Sequence, residues 1–193
     1  LCDVHASVFK GSIQEIHAED GTSLKNLEPL HPINTFKKEN RSIEAWIQQR
    51  IIPDLEKYIS SKDKKDIESL LEAIERLSSI DRHYSRKENL IFPYMEKHGI
   101  TAPPKVMWGV DDEIRGKIKA AKKLLTLADA GFEEIKDAVS VAVDQINEMI
   151  FKEEEIMIPM IFEVFTHEEW AAIEAESAEI GYTFLEQVEK WDH

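Results

Sequence analysis

Apolar residues recur at three- and four-residue spacing through four long stretches of this chain, while β-branched alternation is almost absent. Only a 3.6-residue period gathers such residues on one face, so the pattern commits the chain to amphipathic helices. The first stretch predicts a helix at about 32–60, with Ile33, Phe36, Ile43, Ile47 and Ile51 on one stripe. Pro53 is expected to kink or divide it. A second helix is predicted at about 63–92, its inner face lined by Ile67, Leu70, Leu71, Ile74, Leu77, Tyr84 and Ile91. It should stop near Pro93 and the "KHG" that follows.

The "TAPP" at 101–104 reads as a loop opening a third helix, about 105–129, with Met107, Ile114, Ile118, Ala121 and Leu125 inward. A fourth, about 132–165, carries Ile135, Val139, Ala142, Ile146, Met149 and Ile156, with Pro159 in its last turns. Thr166 and Glu169 make a capping box that starts a final helix to about 190. The segment 1–17 is amphipathic, and 18–31 is a linker by composition. The expectation is all-α: one domain over 1–193, with an up-down-up-down four-helix bundle at 31–165. A helix and linker at 1–30 precede the bundle, and a helix at 166–193 follows it.

At 193 residues the chain is long enough for one well-cored domain. A net charge of −14 argues against nucleic acid or an anionic membrane surface as partner. The single cysteine, Cys2, excludes an internal disulfide and a cysteine-based zinc site, and fits a reducing compartment, most simply the cytoplasm. The apolar runs are short and broken by charge, so neither a membrane span nor a signal peptide is expected. The chain begins at Leu rather than Met, and is read as a piece of something longer.

Several polar residues intrude on the apolar stripes. Asp111 shares a sector with Met107, Ile114 and Ile118, and Glu88 shares one with Leu70, Ile74 and Leu77. Glu153 continues the series Val139, Ala142, Ile146, Met149; Asn40 falls between Phe36 and Ile43, with Glu39 at the stripe's edge. Each alone reads as a helix end running out into solvent. Together they lie at one end of an up-down-up-down bundle, where buried acids must bind protons or a cation. A metal is the simpler account. His83, five residues before Glu88, and His31, just before Pro32, extend the set with imidazole. Oxygen-rich donors with a few imidazoles suit iron or manganese, and less well zinc; carboxylates that bridge suit two metals.

"KENLIFP" (87–93) and "KEEEIMIP" (152–159) echo one another, as though two hairpins each supplied a half-site. Matching the lysines pairs Glu88 with Glu153, and matching the prolines pairs Glu88 with Glu154. Glu154 therefore stands beside Glu153 as an alternative or additional ligand. Met107 and Met149 are read as core residues, and His98 and His167 are given no role.

The stretches "HYSRKENLIFPYME", "VDDEIR" and "KEEEIMIP" resemble the hemerythrin-like (HHE cation-binding) family, over about 31–165. "LCDVHA", "HPINTFKKEN", "VMWGVDDEIR" and "EEW…EIGY" are similar, more narrowly, to a bacterial and archaeal subgroup often joined to a PAS sensor domain. The resemblance implies a four-helix bundle with a non-haem, binuclear iron centre. His83 and Glu88 match the family's histidine and carboxylate, whereas Asp111, Asn40 and Met149 stand where histidines are expected. The third and fourth helices hold no histidine, which moves the implied site away from reversible oxygen carriage and towards carboxylate-bridged di-iron proteins. His5 shares a face with Leu1, Val8 and Phe9; it is either a packed helical histidine or, through the subgroup motif, an extra ligand or gate.

Three functions are then expected, in order. The first is a metal-binding sensory or regulatory domain that binds O₂, NO or peroxide, or reports iron and redox status, to an attached or partner domain. Phe36 and Trp108 would shield its centre. The second is a di-iron enzyme: an oxidase, a peroxide scavenger or an iron donor in stress repair. The third is a metal-free helical interaction module.

Overall fold

The structure is a computed structural model and describes residues 23–192. The predicted N-terminal helix, Cys2 and His5 lie outside the described residues. Every long element among the described residues is helical.

Helix α1 runs over 32–61, as α-helix at Pro32–Trp46, π-helix at Ile47–Ile51 and α-helix again at Ile52–Ser61. It starts where His31 Nδ1 accepts the Ile33 N–H at 3.1 Å, with Pro32 in the first turn, where its missing donor costs nothing. Helix α2 covers 64–97 and is capped by Asp63. It is interrupted at Ser78 and Ser79, and contains a π-helical turn at Lys87–Ile91. Helix α3 is Ala102–Thr126, and α4 covers 132–164 with a π-helical turn at Glu153–Met157. Helix α5, His167–Ile180, begins with the predicted capping box of Thr166 and Glu169.

Helices α1 and α2 pack as one hairpin and α3 and α4 as another, with α2 against α3 and α4 against the end of α1. The fold is thus the expected all-α bundle. The predicted stripes form its interior: Ile43, Ile47, Leu70, Met107, Ile114, Ile146 and Met149 are buried. No helix among the described residues is long and apolar enough to cross a membrane.

All three π-helical turns end two residues before a proline: Ile51 before Pro53, Ile91 before Pro93, Met157 before Pro159. Proline offers no N–H, and its ring crowds the carbonyl four residues back. A turn widened by one residue relieves both conflicts and lets the helix run on. Of the two expected stop signals, Pro93 is therefore corrected, and the helix ends at the "KHG": α2 continues past 92 to Lys97 and ends at Gly99, whose φ of +81° suits glycine. The extra residue also shifts the inward face of α4, so Met157 is buried while Ile156 is only half-buried.

The last helix is likewise shorter than expected. It stops at Ile180 rather than near 190, because Gly181 at φ +91° turns the chain. Beyond it, 182–191 runs without helix as a strap back over the bundle. Phe184 stacks on Trp46 with ring centroids 5.3 Å apart, and the Trp191 ring lies 4.8 Å from His31. Thr183 is buried, and its hydroxyl donates to the Ser79 carbonyl at 2.7 Å, at the break in α2.

Candidate functional site

Each bundle helix sends at least one wholly buried polar side chain to the same place. These are Glu39 and Asn40 from α1, His83 and Lys87 from α2, Asp111 from α3 and Glu153 from α4. His83 bridges two acids, with Nδ1 3.2 Å from Glu39 Oε2 and Nε2 3.1 Å from Glu153 Oε2. Lys87 Nζ donates to Glu153 Oε1 at 2.6 Å and to Asp111 Oδ1 at 2.7 Å, and lies 4.5 Å from the Tyr84 ring centroid. Asn40 Nδ2 donates to Glu153 Oε2 at 3.1 Å. Glu39 also accepts from the Arg86 guanidinium and, at 2.7 Å, from the Thr183 backbone N–H of the strap.

The charges in this cluster answer one another. Burial drags the His83 imidazole down, but the Glu153 and Glu39 carboxylates outweigh it and push it up to about 9. Burial alone would raise Glu153; Lys87 and His83 together hold it down to about 2. Glu39 is also held below the usual carboxylate range, because His83, Arg86 and the Thr183 N–H outweigh its desolvation. For Lys87, Asp111 and Glu153 overcome desolvation and raise the amine. Asp111 departs upwards because burial wins there, and its Oδ2 has no hydrogen-bond partner.

Glu88 and Glu154 sit at the rim rather than in the cluster. Glu88 takes both ends of the Arg115 guanidinium, at 2.6 and 3.0 Å, and Glu154 pairs with Arg41. His31 is held elsewhere. It caps α1 and lies edge-on to Trp170 and Trp191, at 4.9 and 4.8 Å; burial takes its imidazole down to about 4. Of the seven expected site residues in the described chain, Glu39, His83, Asp111 and Glu153 come together, while Glu88, Glu154 and His31 do not join them. Phe36 does cover the centre, stacked on His83 at 4.0 Å. Trp108 does not: it is 43% exposed and packs beside Phe92.

Five partners lie outside the sequence expectations: Lys87, Arg86, Arg115, Arg41 and Thr183. Lys87 carried a readable signal, since it lies three residues after Tyr84 and four before Ile91, on the same stripe. The proline-matched form of the internal echo also pairs it with Glu153. Thr183 carried none, because its position depends on the turn at Gly181.

A hemerythrin HHE cation-binding domain model matches residues 31–161, and the chain belongs to that family. Domains of the family bind metal cations, typically iron. No curated protein matches the chain. The donor set does not fit such an ion. Among the described residues, no group of three or more His, Cys, Asp or Glu side chains is disposed to hold one. Both ring nitrogens of His83 face carboxylates, and the oxygens of Glu153 face Lys87, Asn40 and His83. The cluster's buried acceptors without a partner are Asn40 Oδ1, Asp111 Oδ2 and the Tyr84 hydroxyl, fewer than the four or more donors that iron or zinc takes.

Proposed function

We propose that this chain is a regulatory hemerythrin-type domain, in which the buried charge cluster sets the position of the C-terminal strap. One observation carries the reading: Glu39, which shares His83 with Glu153, also holds the strap through the Thr183 N–H at 2.7 Å. A loss of charge balance among Lys87, Asp111, His83 and Glu153 reaches Glu39 through His83, and reaches Thr183 through Glu39. Arg86 reinforces the path, since it binds Glu39 while its guanidinium lies 4.4 Å from the ring centroid of Tyr182. Release of the strap uncovers Trp46 and the break at Ser79, a surface for an attached or partner domain.

The di-iron enzyme reading is less well supported. It needs carboxylate oxygens turned towards a reactant, whereas those of Glu39 and Glu153 are engaged by cationic side chains and, at Glu39 Oε1, by the Thr183 backbone N–H. Hydrogen exchange tests the regulatory reading. Asp111→Asn, which touches neither Glu39 nor the strap, should raise amide exchange over 181–191 by about tenfold while α3 and α4 stay protected. Strap exchange unchanged in both Asp111→Asn and Glu39→Gln would sink it.

A further inference from the structure

The π-helical turns give the internal echo its register. Both begin six residues before their proline, at Lys87 for Pro93 and at Glu153 for Pro159. Lys87 and Glu153 are therefore equivalent positions in the two hairpins, and they meet at 2.6 Å with both side chains wholly buried. Glu88 and Glu154, the next residues, repeat the relation: each leaves its own hairpin to pair with an arginine on the first helix of the other, Arg115 and Arg41. Two half-sites of one geometry thus differ at the residue that points to the centre. One gives an acid and the other a base.

The ammonium of Lys87 is fully engaged. Two of its protons meet Asp111 and Glu153, and the cation also faces the Tyr84 ring. Removing a buried, doubly bonded ammonium would leave carboxylates unpaired in a low-dielectric interior, a heavy cost. A lysine stem of four methylenes enclosed on all sides cannot swing out to make room for an ion.

We propose that Lys87 is the resident cation of this bundle: its ammonium holds the position at which a metal ion would join α2, α3 and α4, so that the centre closes without metal. This goes beyond the regulatory reading, and stands or falls separately from the strap.

The experiment is metal retention by the whole chain. Protein purified without chelator is incubated anaerobically with Fe(II), and separately with Mn(II) and Zn(II), desalted, and analysed for metal and for Tm with and without EDTA. The wild type should retain well under about one ion per chain, with the same Tm in EDTA. Retention of one or more ions, with a Tm that falls in EDTA, would overturn the proposal. Lys87→Glu places an acid opposite Glu153 and should retain about one ion, with a Tm that rises on loading. A Lys87→Glu protein that folds yet retains no more metal than the wild type also overturns it. Should that variant fold only with metal present, the proposal is supported. If it folds in no condition, the wild-type arm decides: retention refutes, and non-retention with an EDTA-insensitive Tm supports. Exchange over 181–191 in Asp111→Asn is unaffected by these outcomes, which keeps the two readings distinguishable.

Discussion

At the scale of single residues, the centre is held by pairing that is expensive to break by halves. Glu153 meets Lys87, His83 and Asn40, all wholly buried. Glu153→Ala is expected to cost about 3–5 kcal/mol, because it takes one of two carboxylates from each of two buried cations, Lys87 and His83. Replacing the pair together, as Lys87→Met with Glu153→Leu, should cost clearly less than the two single changes added, since apolar groups of similar volume leave less charge unpaired. Urea unfolding of the wild type, the two single variants and the double variant measures the coupling. Glu88, Asp111 and Glu153 were legible as intruders because a 100° period is a strict template. Where each carboxylate would find its partner was not legible. Arg115 and Lys87 are long cations of a kind that usually faces water; the stripe hints that Lys87 turns inward, but only packing shows which carboxylates the two meet.

Elements show a second kind of legibility. The helix stripes and the capping box at Thr166 were readable, and Thr166→Ala should cost about 1 kcal/mol by leaving the first turn of α5 without its cap. The prolines were readable too, but not their effect, because a proline can end a helix or widen it. Packing of the downstream turns decides; Phe92, Met95, Ile158 and Ile161 are buried, so the helices continue. The strap depends on Gly181, whose positive φ any other residue adopts with strain. Gly181→Ala should destabilise by about 1 kcal/mol or more and raise exchange over 182–191, with circular dichroism of the helices unchanged.

For the molecule as a whole, the buried titrations predict an asymmetric stability curve. His83 binds its proton more tightly when folded, about 9 against 6.5, so its contribution is complete below pH 6.5 and is lost as pH rises to about 9. That loss is of order 3 kcal/mol. Glu153 works in the opposite sense: its carboxyl is lowered from 4.5 to about 2, so its contribution is present above pH 4.5 and lost as pH falls towards 2. Asp111, raised by burial from 3.8 to about 7, makes the folded state hold a proton longer, so stability declines as pH rises through that window. The maximum is therefore expected well on the acid side of neutrality, at about pH 4. His83→Gln should flatten the decline between pH 6.5 and 9 in thermal unfolding measured across pH.

The sequence by itself determined the helices, their apolar faces and the end of the bundle where acids gather, because periodicity and capping are local and repeat every few residues. It also identified the chain's kinship. Only the tertiary structure decided what neutralises those acids. Four helices distant in sequence bring Lys87, His83 and Arg86 onto Glu39, Asp111 and Glu153, and a strap from beyond α5 closes on the same carboxylate. A carboxylate accepts a metal or an ammonium equally well by its own chemistry; which one it meets depends on what the fold carries to within 3 Å of it.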